Sequence, residues 1–595
     1  MSYFTPNFED IVFQEENAAQ EGERGLFPSS FLDKYEWNHD YLSPLAMLQG
    51  IPLSHLPTVK WGLKVSETVV NVLLNTLEVS VQMSKQQKTD FNDKVTTLQN
   101  GINRGTLPFN ALRSIVNDIT TFGKLDTYGD DRPKDIEDYA KLFQKIALPP
   151  VASNYNLDST FSAMRTAGPN PLLIQRLKES MPHFPLTKAQ YRKVMKNDTY
   201  QAALKEGRLY VCDYELLTTQ QENPVAPHKY LYTPIALFAV DKISGELKPV
   251  AIQCQQTPSA SNPIYIADSS YDWLIAKTIV ETADANYHEA ISHLGRTHLY
   301  IEPFAVATCR NFSANHAIYK LLMPHFEGTF FINFAAVKTL VAPDGSVDHL
   351  LQGTLDSTLK MTVKGLQNFP TNKAFLPHLF AQNGTADLPN YAFKDDSLLY
   401  WAAIKEWVSD YLTQNYKYAQ NVGEDPALLA WYQDLVSTEG GRVIGLAENG
   451  KPIQSFAYLV EVLTLLIYTS SVQHAAVNFP QYDLMSYAPN MPFACYDTFP
   501  KPQIRKATAQ DYLNILPTMG KAKEQINLTY TLGSMHYTQL GQYESGYFDK
   551  KTQQGSLLKF QQEVAEIGKT IQTRNLTRRK YTTLMPSAIP QSINI

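Results

Sequence analysis

Apolar residues recur along most of this chain at the spacing of helices. Val69, Val70, Leu73, Leu77 and Val81 fall near the 3.6-residue period, which predicts a helix over Glu67–Lys85 with Ser66 as its cap. A second helix is predicted over Ala111–Phe122. The run Phe456–Tyr468 (FAYLVEVLTLLIY) is apolar almost throughout. It carries Glu461 and falls short of the roughly 20 apolar residues of a membrane span, so it reads as a helix inside a large core. Between Arg208 and Gln253 the period changes. LYVCDYELL, YLYTPIALFAVD and GELKPVAIQ alternate as strands do, with Pro and Gly in the turns. From Tyr271 onward the helical period dominates, with breaks at Pro343-Asp-Gly and at Gly440-Gly441. The fold class that follows is mainly α, with a small β-sheet inserted. Residues 1–150 form an irregular and helical N-terminal segment packed on the main body, and residues 151–595 form one large helical domain. No run of alternating strands ahead of residue 151 predicts a separate β-sandwich.

Composition narrows the class. The chain has 595 residues, 44% of them apolar and 18% charged, which excludes a disordered chain, a collagen-like fibre and a coiled-coil rod. Lys and Arg number 52 against 58 Asp and Glu, a net charge of −6, so nothing draws it to nucleic-acid phosphate. Cys212, Cys254, Cys309 and Cys495 form no CxxC pair, which argues against a disulfide framework and points to a reducing, cytoplasmic interior. The acidic start lacks an apolar targeting segment, so no cleaved signal peptide is expected. The apolar face of the helix at residues 67–85 has two readings, packing on the core or lying on a bilayer as a lid, and packing is the commoner use of such a face.

Candidate chemistry sits in residues 273–304, where His288, His293 and His298 recur every five residues. On a regular α-helix positions five apart are about 140° out of phase, so such histidines cannot share a metal. A local widening to i→i+5 bonding would bring them to one side, and such widenings recur at functional sites. A zinc-protease HExxH is excluded, because Ser292 stands where its second histidine would be. Ordinary interior histidines remain the alternative. In SSVQHAAVNFPQ, His474 and Asn478 are four apart and share one face of an apolar helix. Buried there, they need partners: either backbone carbonyls, or a metal for which imidazole and amide oxygen are donors suited to iron. The chain stops at Ile595 in QSINI. Such an end could fray, or dock and supply a carboxylate without a side chain.

These motifs together resemble the lipoxygenase family. His288, Glu289, His293, His298 and Glu302 meet its pattern H-[EQ]-x3-H-x4-H-x3-E. EPFAVATCR, HAIYKLLMPH, FFINFAA, WAAIKEWV, LVEV, HAAVNFPQY and the terminal isoleucine also fit, and DSTFSAMRTAGPNPLLI at 158–174 resembles the family's access segment. The resemblance runs over roughly residues 155–595 and lacks the family's N-terminal β-sandwich, as in short bacterial-type members. It implies one non-haem iron between two long central helices, held by His293, His298, His474, the side-chain oxygen of Asn478 and the carboxylate of Ile595. His288 matches a histidine that is not a ligand. Glu289 and Gln481 fall on positions that orient the ligands and connect them to the substrate cavity.

The implied reaction adds O2 to polyunsaturated fatty acids with a linoleate-type 1,4-pentadiene, giving hydroperoxides. By the same resemblance Ile332, Ala336, Leu340, Val347 and Leu528 line the cavity, although plain core packing is the bland reading of each. Ala336 stands where alanine usually accompanies S-hydroperoxides. Met491 replaces an arginine that pairs with the substrate carboxylate in plant members, so tail-first insertion is expected, which would admit esterified substrates. A monomer is expected, and weak peripheral membrane contact stays open. Two alternatives remain at this point: a lipid-binding protein of the same fold without catalysis, against which the filled ligand positions argue, and a manganese form.

Overall fold

The computed structural model describes residues 35–79, 85–104, 131–222, 228–499 and 505–595. The helix predicted over Ala111–Phe122 lies outside the described residues. Strands β1 (Trp37–Asn38) and β2 (Met47–Leu48) pair antiparallel ahead of helix α1 (Val59–Val79). This helix corrects the predicted start. Its cap is Thr58, whose hydroxyl accepts the Trp61 N–H at 3.1 Å. Ser66 lies inside the helix and donates to the Gly62 carbonyl at 2.7 Å. Trp61, Val65, Val69 and Leu73, spaced by four, are all buried in the main core. Each gains about 1.5–3 kcal/mol over exposure, which holds the helix down. Val69, Val70 and Leu73 are therefore core residues and present no face to a bilayer. The predicted end at Lys85 also moves, since α2 (Lys85–Arg104) is a separate helix packed against α1.

Helix α3 (Asp158–Ala167) precedes the inserted sheet. The sheet runs β3 (Gln175–Arg176), β4 (Leu209–Asp213), β5 (Ile235–Val240), β6 (Leu247–Gln253) and β7 (Ile264–Ile266), each antiparallel to the next. The three predicted strands are its centre. On one face Tyr210, Cys212 and Phe238 join the main core, and on the other Leu209, Val211 and Leu237 pack with Tyr191, Met195 and Ala203 in a smaller cluster. Burial on both faces explains why β5 is apolar at every position rather than alternating. Pro249 pairs with Phe238 where the β5–β6 register shifts, a place where a residue without N–H is tolerated.

Two long helical runs cross the middle. The first is α4 (Tyr271–Tyr287), a π-helical stretch at His288–Leu299, and α5 (Tyr300–Asn311). Helices α6 (Thr329–Thr339), α7 (Ser346–Leu350) and α8 (Ala392–Asn415) follow. The second run is α9 (Phe456–Tyr468), a π turn at Thr469–Gln473, α10 (His474–Asn478) and a further π turn at Gln481–Met485. This run is long and apolar enough to cross a membrane, yet 72% of its most apolar window is buried inside the protein. Helices α11 (Met519–Gly533) and α12 (Ser556–Arg574) complete the layers. Helix α8 packs against both α9 and α12, with Trp407 stacked on Phe560 at 5.9 Å between centroids. The predicted helix breaks appear as turns, with Asp344 at φ 62° and Arg442 at φ 54°.

The segment at residues 158–174 is locked by a buried ion network. Arg165 of α3 reaches Glu281 at 2.6 Å and Asp284 at 3.2 Å, with side chains 1%, 5% and 1% exposed. Tyr214, just past β4, donates to Asp284 at 2.6 Å and accepts from Arg165 at 2.8 Å. One guanidinium thus ties α3 and the sheet to the central helix α4. Burial pushes the Glu281 carboxyl up to about 8 against the pull of Arg165. Removing the cation leaves two carboxyl groups in the core without their partner. We expect Arg165→Met to lose about 3–5 kcal/mol of unfolding free energy in urea titration. A loss below about 1 kcal/mol, the scale of an exposed ion pair, would refute this role.

Candidate metal centre

The π-helical stretch performs the widening that the five-residue spacing requires. His293 and His298 face each other with Nε2 atoms 3.3 Å apart and ring centroids 4.9 Å apart. His474 comes from the second run, its ring 5.5 Å from His293 and 5.1 Å from His298. One ligand nitrogen from each of the three buried rings lies within 4.8 Å of the others. His288 turns away. Its Nε2 bonds the Val477 carbonyl at 2.7 Å and its ring stacks on His293 at 5.4 Å.

The hydrogen bonds around the cluster fix its protonation. Asn333 of α6 donates through Nδ2 to the His298 carbonyl at 3.2 Å and to Glu302 Oε2 at 2.6 Å. Its Oδ1, 2.8 Å from His298 Nδ1, is therefore an acceptor, so His298 carries its proton on Nδ1 and points a bare Nε2 at His293. Burial, aided by the neighbouring rings, lowers the pKa of His293 and His474 and brings His298 down to about 3. The three rings are neutral donors. Among the described residues neither nitrogen of buried His474 has a hydrogen-bond partner. A bare His298 Nε2 at 3.3 Å from the His293 nitrogen, beside an imidazole with neither nitrogen partnered, is costly in a core unless a proton or a metal cation lies among them. Nitrogens each about 2.1 Å from one ion, at right angles, stand about 3 Å apart, so the spacing suits a shared metal.

Asn478 follows His474 by one turn of α10. Its Nδ2 donates to the Leu532 carbonyl at 2.8 Å, and its Oδ1 accepts from Gln481 Nε2 at 2.9 Å, with one lone pair left. Glu289 places one oxygen 3.5 Å from His288 Nδ1 and the other 3.8 Å from His293 Nδ1. Burial acts to raise its carboxyl, and the two histidines outweigh burial and bring it down to about 2.

The chain end docks rather than frays. Ile589, Ile593 and Ile595 are buried, and the main chain of Ile595 adjoins His474, where it opposes the effect of burial on that ring. Thr329 holds the Ile593 carbonyl at 3.1 Å, and Ser592 donates to the Glu327 carbonyl at 2.7 Å. Gly328, at φ +80°, begins α6 against this tail, where an added Cβ would stand 3.0 Å from Cβ of Asn594.

The five predicted cavity residues lie on adjoining elements. Ile332, Ala336 and Leu340 repeat by four along α6 and its end, and Val347 donates its N–H to the Leu340 carbonyl at 3.0 Å. Helix α7, which carries Val347, packs on α11, which carries Leu528. A 470 Å³ apolar cavity beside residues 299–304 is lined by none of the five. Sequence reasoning gave no role to Asn333, Glu302 or Trp61. Glu302 and Asn333 stand in motifs that fit the family, and those positions were the signal for them; Trp61 had none.

This is a mainly helical protein with three buried histidines that could hold one metal ion. The chain belongs to the lipoxygenase family, whose model matches residues 61–591. It is 33% identical to the linoleate 9/13-lipoxygenase of Pseudomonas aeruginosa, over 94% of this chain and 89% of that protein. It is 31% identical to the polyunsaturated fatty acid lipoxygenase ALOX8 of Mus musculus, over 85% of this chain and 75% of the other. Among solved structures, coral 8R-lipoxygenase superposes with a TM-score of 0.79 at 25% identity, covering 100% of this chain and 82% of its own. A lipoxygenase crystallised anaerobically with arachidonate gives 0.77 at 25% identity, covering 100% and 83%.

His325 offers a test of the docked tail. Its Nδ1 donates to the Gln591 carbonyl at 2.8 Å, and burial lowers its pKa from 6.5 to about 4. The unfolded chain protonates this ring below its ordinary pKa while the folded chain does not, so stability falls as pH drops through that interval. From about pH 7.5 to about pH 5.5 this one ring should cost about 1.3 kcal/mol. We expect His325→Asn, which keeps a donor and does not titrate, to show a pH slope shallower by that amount in denaturant unfolding. Parallel curves for the two proteins would rule out a buried neutral His325.

Proposed function

We propose that this protein is an iron lipoxygenase that converts a fatty acid containing a 1,4-pentadiene, together with O2, into the fatty-acid hydroperoxide. The balance is R–H + O2 → ROOH: a hydrogen atom leaves the bisallylic carbon, O2 joins the pentadienyl chain, and the hydrogen ends on the peroxide, with no outside reductant. The observation that carries this reading is the convergence of His293, His298 and His474 with both nitrogens of His474 unpartnered among the described residues. The proposed ligands are those three imidazoles, Asn478 Oδ1 and the carboxylate of Ile595. When bound, iron supplies one-electron redox chemistry, and three neutral imidazoles, an amide and a single carboxylate favour its lower charge state.

The chain's own residues do the rest. Asn333 orients His298, Gln481 and the Leu532 carbonyl orient Asn478, and Glu289 faces His293. Ile332, Ala336, Leu340, Val347 and Leu528 are proposed to wall the acyl chain and keep water from the radical. Met491, buried where the arginine of plant members would stand, offers the carboxylate no cation, which supports tail-first insertion. The relatives' names support linoleate- and arachidonate-type substrates.

We expect one iron per chain by metal analysis and conjugated-diene absorbance on adding linoleate. Replacing His293, His298 or His474 by Ala should abolish both. Deleting Ile595 draws the carboxylate back about 3.5 Å, beyond what a metal–oxygen bond tolerates, so diene formation should be lost with the fold intact. Unchanged turnover in that deletion would remove the terminal ligand. Manganese in place of iron, or bound lipid without diene formation, would favour the other readings.

A further inference from the structure

Two hydrogen bonds cross from the chain ahead of residue 80 into the shell around the proposed ligands. The indole of Trp61, at the start of α1, donates from Nε1 to the Asn594 carbonyl at 2.7 Å, and both residues are buried. The Leu48 N–H, in β2, donates to Glu302 Oε1 at 2.7 Å. The second bond continues inward. Glu302 Oε2 accepts from Asn333 at 2.6 Å, and Asn333 Oδ1 accepts from His298 Nδ1 at 2.8 Å. One proposed ligand is therefore one residue from an N-terminal hydrogen bond, and another is tied to one through two side chains.

A carboxylate supplied by the chain end has no rotamer of its own to lock it. Its place is set by the main-chain bonds of the residues just before it. Thr329 fixes Ile593 from one side and Trp61 fixes Asn594 from the other. We propose that the N-terminal layer is a positioning element of the metal centre: Trp61 sets the Ile595 carboxylate, and the Leu48–Glu302–Asn333 chain sets the His298 ring. The inference rests on the reading of this site as a metal centre. Trp61, Glu302 and Asn333 act through the ligands and touch no reacting atom.

Each link depends on a hydrogen bond rather than on bulk. Phenylalanine at position 61 would still meet Phe331, whose ring stands edge-on at 5.3 Å, but could not bond the Asn594 carbonyl. Glutamine at 302 has a single oxygen, whereas Glu302 accepts from Leu48 and Asn333 with two. The amide NH2 would face one of those donors and open the chain.

The test uses the full-length chain in four forms: unaltered, Trp61→Phe, Glu302→Gln and Val65→Ala. The last removes packing from the same face of α1 without touching a hydrogen bond to the centre. Three quantities are measured: the melting temperature without metal, its rise on loading with Fe(II), and the rate of iron loss to a chelator. Trp61→Phe and Glu302→Gln should lose iron about tenfold faster or more and show a smaller rise on loading. Their metal-free melting temperatures should fall no further than that of Val65→Ala, which should lose iron at the unaltered rate. If Trp61→Phe does not fold, Trp61→His, which keeps a ring N–H, replaces it and should retain iron better than Trp61→Ala; equal loss from both overturns the role of Trp61. If the unaltered chain binds iron and both variants keep it, or if Val65→Ala loses it as fast, the inference falls alone. If the unaltered chain takes up no metal, the reading of the site falls with it.

Discussion

The structure turns on one mismatch, between the angular period of an α-helix and histidines spaced by five. A regular helix would aim His293 and His298 in different directions. The π-helical stretch at His288–Leu299 brings them to one side, with nitrogens 3.3 Å apart. Such widening is rare without support. Here it is buried against α10, which brings His474, and against the helix at Leu355–Gln367, where Gly365 lets Ile291 come within 3.0 Å of the place a Cβ would occupy. The second run widens twice as well, on either side of α10. Both central helices thus depart from regular geometry where they face each other.

Several of the polar ends around the buried rings are held by partners. Asn333 takes the far nitrogen of His298, Gln481 and the Leu532 carbonyl take the spare atoms of Asn478, and the side chains of Thr329 and Trp61 hold carbonyls of the tail. Among the described residues both ring nitrogens of His474 lack a partner, at the point where the proposed ion would lie. The same holds for the Arg165 network, in which two buried carboxyl groups and a phenol close on one guanidinium. The pairing is not complete: Arg165 Nε, Glu281 Oε1 and Asp284 Oδ2 are buried without a hydrogen-bond partner among the described residues.

Much of this was legible because it was periodic or local. The histidine spacing required a widened helix, and the apolar runs gave β4, β5 and β6. Strands β3 and β7, two and three residues long, offered no pattern to find and exist because the central strands present unpaired edges. The start of α1 was missed because its period was traced only from Val69. Trp61 and Val65 extend the same face upstream, and Thr58, a β-branched cap, was passed over for Ser66. The roles of Asn333, Glu302 and Trp61 were out of reach for another reason. Their bonds join residues 31 apart for Asn333 and Glu302, 254 apart for Glu302 and Leu48, and 533 apart for Trp61 and Asn594. No local pattern encodes a contact of that range.

That range has a physical consequence for how the centre is assembled. A ligand on a helix is placed as soon as the helix forms and packs. The proposed ligand at the chain end is placed only when elements far along the sequence have met: Trp61 from α1, Thr329 from α6 and His325 from the turn just ahead of α6, with the residues at 538–541 bonding Ile589 and Gln591. Each of those bonds is modest alone, about 0.5–1.5 kcal/mol. Together they hold a seven-residue tail with no helix or strand of its own, and they form only in the completed fold. A terminal carboxylate is thus a donor that cannot be in place before the core is closed around it.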